Sequence, residues 1–271
     1  MERKINAKDR LILALDPDLN KIENLLKEKP AEEVRTEVKR EAVSILDELE
    51  GEVGLVKVNY VAAMIPEIIG IIQERKIGVW RDWKHKDIPR TVKGFILGCI
   101  MDKIDMVTIH ADGALEMVKY AVEGANMAKE IDWANDLTVL GVSVLTSIDK
   151  EALNKELEIP GEVMDKVIAY ARLAEMGGVP GIVASAKESS ELRKELKPET
   201  LIVTPAIKPE WAAPAADQKR ITTPYQAIKG GSTHLVVGSA IIKAEKYGKT
   251  RAEAARAIVA EIDQALSDRG F

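Results

Sequence analysis

Cysteine is almost absent: Cys99 is the only one in 271 residues, which excludes an intrachain disulfide and points to a reducing, cytoplasmic setting. No run of about 18 uninterrupted apolar residues is present, so no membrane span is expected. The opening "MERKINAKDR" is charged and leads directly into an apolar run, so no signal peptide is expected either. Neither sign of charge dominates: 39 basic and 44 acidic residues are mixed along the chain, for a net charge of -5. That balance argues against nucleic-acid binding through a broad basic surface. The three histidines, His85, His110 and His234, fall in no metal-ligand spacing, so neither a structural nor a catalytic metal is expected. There is no P-loop, and the glycine-rich dinucleotide turn is missing after "LILALD". With no internal repeat, low-complexity tract or linker, and 46% hydrophobic residues, one domain spanning 1–271 with a substantial core is expected.

What the chain does have is rhythm. Short apolar runs alternate with longer amphipathic segments. The runs are "LILAL" (11–15), "GLVKV" (54–58), "GVWRDWK" (78–84), "DMVTI" (105–109), "LTVLGVSVL" (137–145), "GIVAS" (181–185), "LIVTP" (201–205) and "HLVVG" (234–238). Between them lie helical patterns such as "AEEVRTEVKREAVSILDELE", and "TRAEAARAIVAEIDQALSDRG" reads as a closing helix. Pro30 divides the first helical region in two. Eight strand–helix units in about 250 residues is the count of an α/β fold, the closed parallel (β/α)8 TIM barrel; an open doubly wound sheet is the alternative.

In such barrels the active site lies at the C-terminal strand ends. Asp16 ends the first strand, Lys57 lies near the end of the second, Asp82 and Lys84 end the third, and Asp87 follows in the next loop. Asp82 and Lys84 are two residues apart, so a strand directs both to one face. Each has an ordinary explanation taken singly. Asp16 could cap the following helix, Lys57 and Lys84 could extend along a barrel rim, and Asp87 could open a helix before Pro89. Jointly, alternating acids and lysines around one mouth suit proton chemistry. A Schiff-base lysine must be neutral, which flanking carboxylates oppose; an ammonium that protonates a forming carbanion is helped by them.

The stretch "DWKHKDIPRTV" closely resembles the D-x-K-x-x-D-I-P-x-T signature of the orotidine 5′-phosphate decarboxylase family, and the resemblance runs the whole chain. "RLILALD" resembles its first strand, "LVKVNY" its second, "DMVTIHADG" and "LGVSVLTSID" its fourth and fifth. "LIVTPAIKP", "DQKRITTPYQAI" and "STHLVVG" are similar to the seventh strand, its loop and the eighth strand. The resemblance implies a cofactor-free loss of CO2 from orotidine 5′-phosphate to give UMP. In it, Asp82 lies beside the substrate carboxylate, Lys84 protonates C6, Lys57 orients Asp82 and contacts the ribose, and Asp16 takes a ribose hydroxyl. Asp87, Ile88 and Thr91 would reach the partner's site in a homodimer with shared active sites. Thr146 would lie on the pyrimidine side, and Pro205, Lys208, Gln218, Gly238 and Ser239 would complete the substrate contacts.

Two positions depart from the family pattern. Its "PGIRP" arginine is here Lys208, and the arginine of its "VVGR" is here Ser239, followed by Ala240. A guanidinium fork is thereby lost from the phosphate end. Backbone N–H groups at Gly238 and Ser239 remain, and Lys219, Arg220 and Lys243 are the candidate replacements. A related barrel acting on a keto-sugar phosphate with magnesium, and a catalytically weakened nucleotide-binding paralogue, stand as alternatives.

Overall fold

The computed structural model describes residues 6–131, 133–134, 136–213 and 222–269. Its strands are β1 (Leu11–Ala14), β2 (Leu55–Val58), β3 (Gly78–His85), β4 (Met106–His110), β5 (Thr138–Val142), β6 (Gly181–Val183), β7 (Leu201–Thr204) and β8 (His234–Val237). They follow one another in chain order around a closed, parallel barrel, which is the (β/α)8 architecture. All eight expected strands are present. Strands buried on both faces read as near-continuous aliphatic runs, which is why they were visible in the sequence. β5 and β6 are shorter than expected: the apolar run to Leu145 outlasts a ladder that stops at Val142, with Val144 buried outside it, and β6 stops at Val183 rather than Ser185.

Contacts gather the chain into two compact units. One comprises Met1–Trp80, Lys208–Tyr225 and Val236–Phe271. In it β1 and β2 pair in register from Ile12↔Leu55 to Ala14↔Lys57. Helix Leu19–Glu28 ends before Pro30, and helix Ala31–Glu48 begins after it, burying Val34, Val38, Ala42, Ile45 and Leu46 at helical spacing. The closing helix Arg251–Ser267 starts in a capping box, Thr250 with Glu253, and buries Ala254, Ile258, Ile262 and Ala265.

The other unit comprises Arg81–Ile207 and Gln226–Leu235. Here β4 pairs β5 from Met106↔Thr138 to His110↔Val142, β5 pairs β6, and β6 pairs β7. Gly181 opens β6 because a Cβ there would sit 2.7 Å from both Leu140 Cδ2 and Leu201 Cβ. Helix Pro89–Met101 begins with Pro at its first position, where a missing N–H costs nothing. Among the described residues no helix is long and apolar enough to cross a membrane.

Candidate active site

β3 alternates as its sequence demands. On one face Arg81, Trp83 and His85 stand together: Arg81 lies 4.7 Å from the Trp83 ring centroid, and Trp83 and His85 pack on Phe95 of helix Pro89–Met101 at 5.7 and 4.0 Å. The opposite face carries Asp82 and Lys84, whose Nζ and Oδ2 are 2.8 Å apart. Asp82 is 6% exposed. Its Oδ1 accepts a second hydrogen bond, 2.8 Å long, from the hydroxyl of Thr108 in β4. That hydroxyl in turn accepts the Lys84 backbone N–H at 3.2 Å. Lys84 has φ of 49°, a left-handed conformation that is rare for a residue with a Cβ and costs on the order of 1–3 kcal/mol. Burying an ion pair seldom adds stability over apolar packing. A buried acid, a lysine and a left-handed turn at one strand end therefore argue for chemistry.

In the other unit, Lys57 is buried near the end of β2 with its Nζ 3.6 Å from Asp16 Oδ2. Asp16 Oδ1 is buried with no hydrogen-bond partner among the described residues. Asp16 is not the helix cap: Asp18 takes that place, accepting the N–H groups of Asn20 and Lys21 at 3.1 and 3.4 Å. Lys243 Nζ holds the other Asp18 oxygen at 2.9 Å, and this bond, with the Lys21 amide, keeps the Asp18 carboxyl below its usual range. The same bond raises Lys243. Asp16, Asp18, Tyr60, Gly238, Ser239 and Lys243 line a cleft of about 550 Å³. Tyr60 donates to the Pro17 carbonyl at 2.7 Å, and burial, with Asp16 and Asp18 nearby, pushes its hydroxyl up to about 12. It is a neutral donor at neutral pH.

The remaining expected residues are spread more widely. Asp87 does not cap the helix before Pro89. Ile88 is the cap residue, and Asp87 Oδ1 accepts its N–H at 2.6 Å. Asp87, Ile88 and Thr91 are exposed, as is Thr146 in the loop beyond β5. Pro205 follows β7 and precedes Ala206, whose φ is 61°. The backbone N–H of Lys208 donates to the Thr222 carbonyl at 3.2 Å. Ser239 opens the short helix Ser239–Ile242 and is exposed. Gln218, Lys219 and Arg220 lie outside the described residues.

Sequence reasoning missed Thr108, Tyr60 and Asp18. A hydroxyl in the middle of the apolar "MVTIH" was the available signal for Thr108. His110, at the end of β4, lies 3.5 Å from Asp112 Oδ1, yet burial holds its pKa below the ordinary value. Among the described residues no group of three or more His, Cys, Asp or Glu is placed to hold a metal ion.

Comparison with known proteins converges on one group. Residues 9–258 match the model of the orotidine 5′-phosphate decarboxylase / HUMPS family. The chain is 35% identical over 271 residues to the orotidine 5′-phosphate decarboxylase of Heliobacterium modesticaldum, covering 98% of this chain and 100% of that one. It is 34% identical over 263 residues to the enzyme so named from Moorella thermoacetica, covering 96% and 94%. Among solved structures, an uncharacterized conserved protein from Geobacillus kaustophilus matches with a TM-score of 0.72 at 26% identity, over 93% of this chain and 99% of that one. The orotidine 5′-phosphate decarboxylase of Lactobacillus acidophilus shares the fold, with a TM-score of 0.69 at 24% identity over 93% and 98% of the two chains.

Proposed function

The chain belongs to the orotidine 5′-phosphate decarboxylase / HUMPS family, and from that premise we infer that it converts orotidine 5′-phosphate to UMP in pyrimidine biosynthesis. The observation that carries this reading is the buried Asp82 bonded to Lys84 on one face of β3. The C6–carboxyl bond breaks, its electron pair stays on C6, and CO2 departs. The Lys84 ammonium then gives its proton to C6 and regains one from solvent. Asp82 stands against negative charge on the carboxylate, a repulsion that vanishes as CO2 leaves, so the site favours the transition state over the bound substrate. No cofactor takes part in these steps.

Asp16, with a buried oxygen that has no hydrogen-bond partner among the described residues, accepts a ribose hydroxyl, and Lys57 beside it contacts the same sugar. The phosphate goes to the Gly238–Ser239 end of the cleft, which Lys243, Lys246 and Arg251 also line. Pro205, Lys208, Gln218 and Thr146 complete the substrate contacts. The reading includes one domain over 1–271, a cytoplasmic setting, and a homodimer in which Asp87, Ile88 and Thr91 serve the partner's site. Ile88 is 67% exposed, an apolar side chain in need of cover.

The test is turnover of orotidine 5′-phosphate with EDTA present, together with borohydride treatment during turnover. CO2 release without a trapped Lys84 adduct is expected. Activity only with added magnesium on a keto-sugar phosphate would replace the reading. Ser239 motivates a second one, a weakened nucleotide-binding paralogue, which tight UMP binding without turnover would favour. Mixing inactive Asp87→Ala and Lys84→Ala chains is expected to restore activity through hybrid sites. Subunit exchange without recovery would rule out a shared site.

A further inference from the structure

We propose that Thr108 is a positioning residue that sets the geometry of the Asp82–Lys84 pair. The inference rests on the decarboxylase reading for its catalytic consequence, but the contact itself is independent of it. Thr108 is fully buried in the middle of β4, between Val107 and Ile109, where an apolar β-branched residue would pack equally well.

Its hydroxyl has no freedom of role. The Lys84 backbone N–H can only donate, so the Thr108 oxygen accepts it, at 3.2 Å. A carboxylate only accepts, so the hydroxyl proton points to Asp82 Oδ1, at 2.8 Å. Asp82 Oδ2 then takes the Lys84 ammonium at 2.8 Å. A closed loop results, running from Thr108 to the Asp82 carboxylate, to the Lys84 ammonium, and back through the Lys84 backbone. The loop fixes the plane of the carboxylate. It also holds Lys84 at φ of 49°, which directs where its side chain leaves the strand. A donor placed before substrate arrives needs no reorganisation at the moment of proton transfer, and misplacing a catalytic group by about 1 Å can cost roughly a hundredfold.

Thr108→Val keeps shape and removes the hydroxyl. It is expected to lower kcat about 10- to 100-fold with KM changed little, because the loop touches the reacting pair and not the rest of the ligand. Thr108→Ser, which keeps the hydroxyl, restores most of kcat. A merely structural threonine would show neither the split between kcat and KM nor the rescue. If Thr108→Val folds poorly, Thr108→Ala replaces it in every arm.

A second readout needs no substrate. Amide exchange at Lys84, followed by NMR and referenced to Ile109, is expected to accelerate in Thr108→Val and to stay at the wild-type rate in Thr108→Ser. Unchanged exchange, a kcat within twofold of wild type, or a serine variant as impaired as the valine one would overturn the proposal. A wild-type protein that does not decarboxylate orotidine 5′-phosphate would defeat the functional reading alone, and exchange would then decide the positioning claim.

Discussion

Two aspartate–lysine pairs stand at strand ends, and they are finished differently. Asp82 and Lys84 lie 2.8 Å apart, with the acid's second oxygen taken by Thr108. Asp16 and Lys57 are 3.6 Å apart, and one Asp16 oxygen has no hydrogen-bond partner among the described residues. Exposure follows the same division: the Asp82 side chain is 8% accessible and that of Asp16 is 38%. A closed network of charges is prepared to act on a ligand, because its dipoles are already fixed. An acid with spare capacity beside a cleft is prepared to receive one, because a buried acceptor left unpaired is costly until a donor arrives.

The comparison breaks first at Lys84. Lys84→Ala removes the proposed proton donor and is expected to lower kcat by at least about 10²–10⁴-fold in a folded protein. Near-wild-type turnover would mean that the closed network is structural. Next comes the proposed phosphate end of the open cleft. Ser239→Arg is expected to raise kcat/KM for orotidine 5′-phosphate by about tenfold to a hundredfold, the worth of one charge-assisted contact, and to leave the phosphate-free nucleoside unaffected. An unchanged value would show that Lys243 or another cation already grips the phosphate, and Lys243→Ala would then raise KM.

A smaller effect belongs to Asp16→Asn. It keeps the shape of the side chain but removes its charge, and should raise KM about tenfold with kcat changed less. A selective fall in kcat would place Asp16 with the reacting groups instead.

The smallest effect concerns pH. Burial, the largest influence on His110, lowers its folded pKa and outweighs the opposing pull of Asp112; Lys86 and Lys84 lower it further and Asp82 raises it. The unfolded chain, at about 6.5, therefore takes up the proton first. Stability is full above that value and falls as pH drops through the lowered folded one. His85 is lowered by burial as well and adds to the same trend. Thermal melts at pH 8 and 5.5 should show a drop that shrinks in His110→Asn. An equal drop in both proteins would remove His110 from the account.

Much of this was legible in the residues. The alternation of β3 placed Asp82 and Lys84 on one face, because the two-residue period is a local property of an extended chain. Pro30 marked the break between helices, because a proline ring is hostile to a helix interior wherever it falls. Less legible was "DPD": Asp16 was the cap the sequence suggested, and the structure gives that role to Asp18. The run to Leu145 read as strand because hydrophobicity reports burial, and Val144 is buried without being paired.

Apolar runs, their spacing and the acids and lysines that end them are written in the order of the residues, since each depends on neighbours along the chain. The sequence by itself thus determined the eight-strand barrel and the placing of Asp82 and Lys84 on one face of β3. Thr108 belongs to the other category. In sequence it is one more β-branched residue in an apolar strand, and its partners lie 24 and 26 positions away. Only the pairing of strands in three dimensions turned its hydroxyl onto Asp82 and the Lys84 amide. A hydrogen bond requires a donor and an acceptor to meet within about 3 Å, and that meeting is decided by register across the barrel.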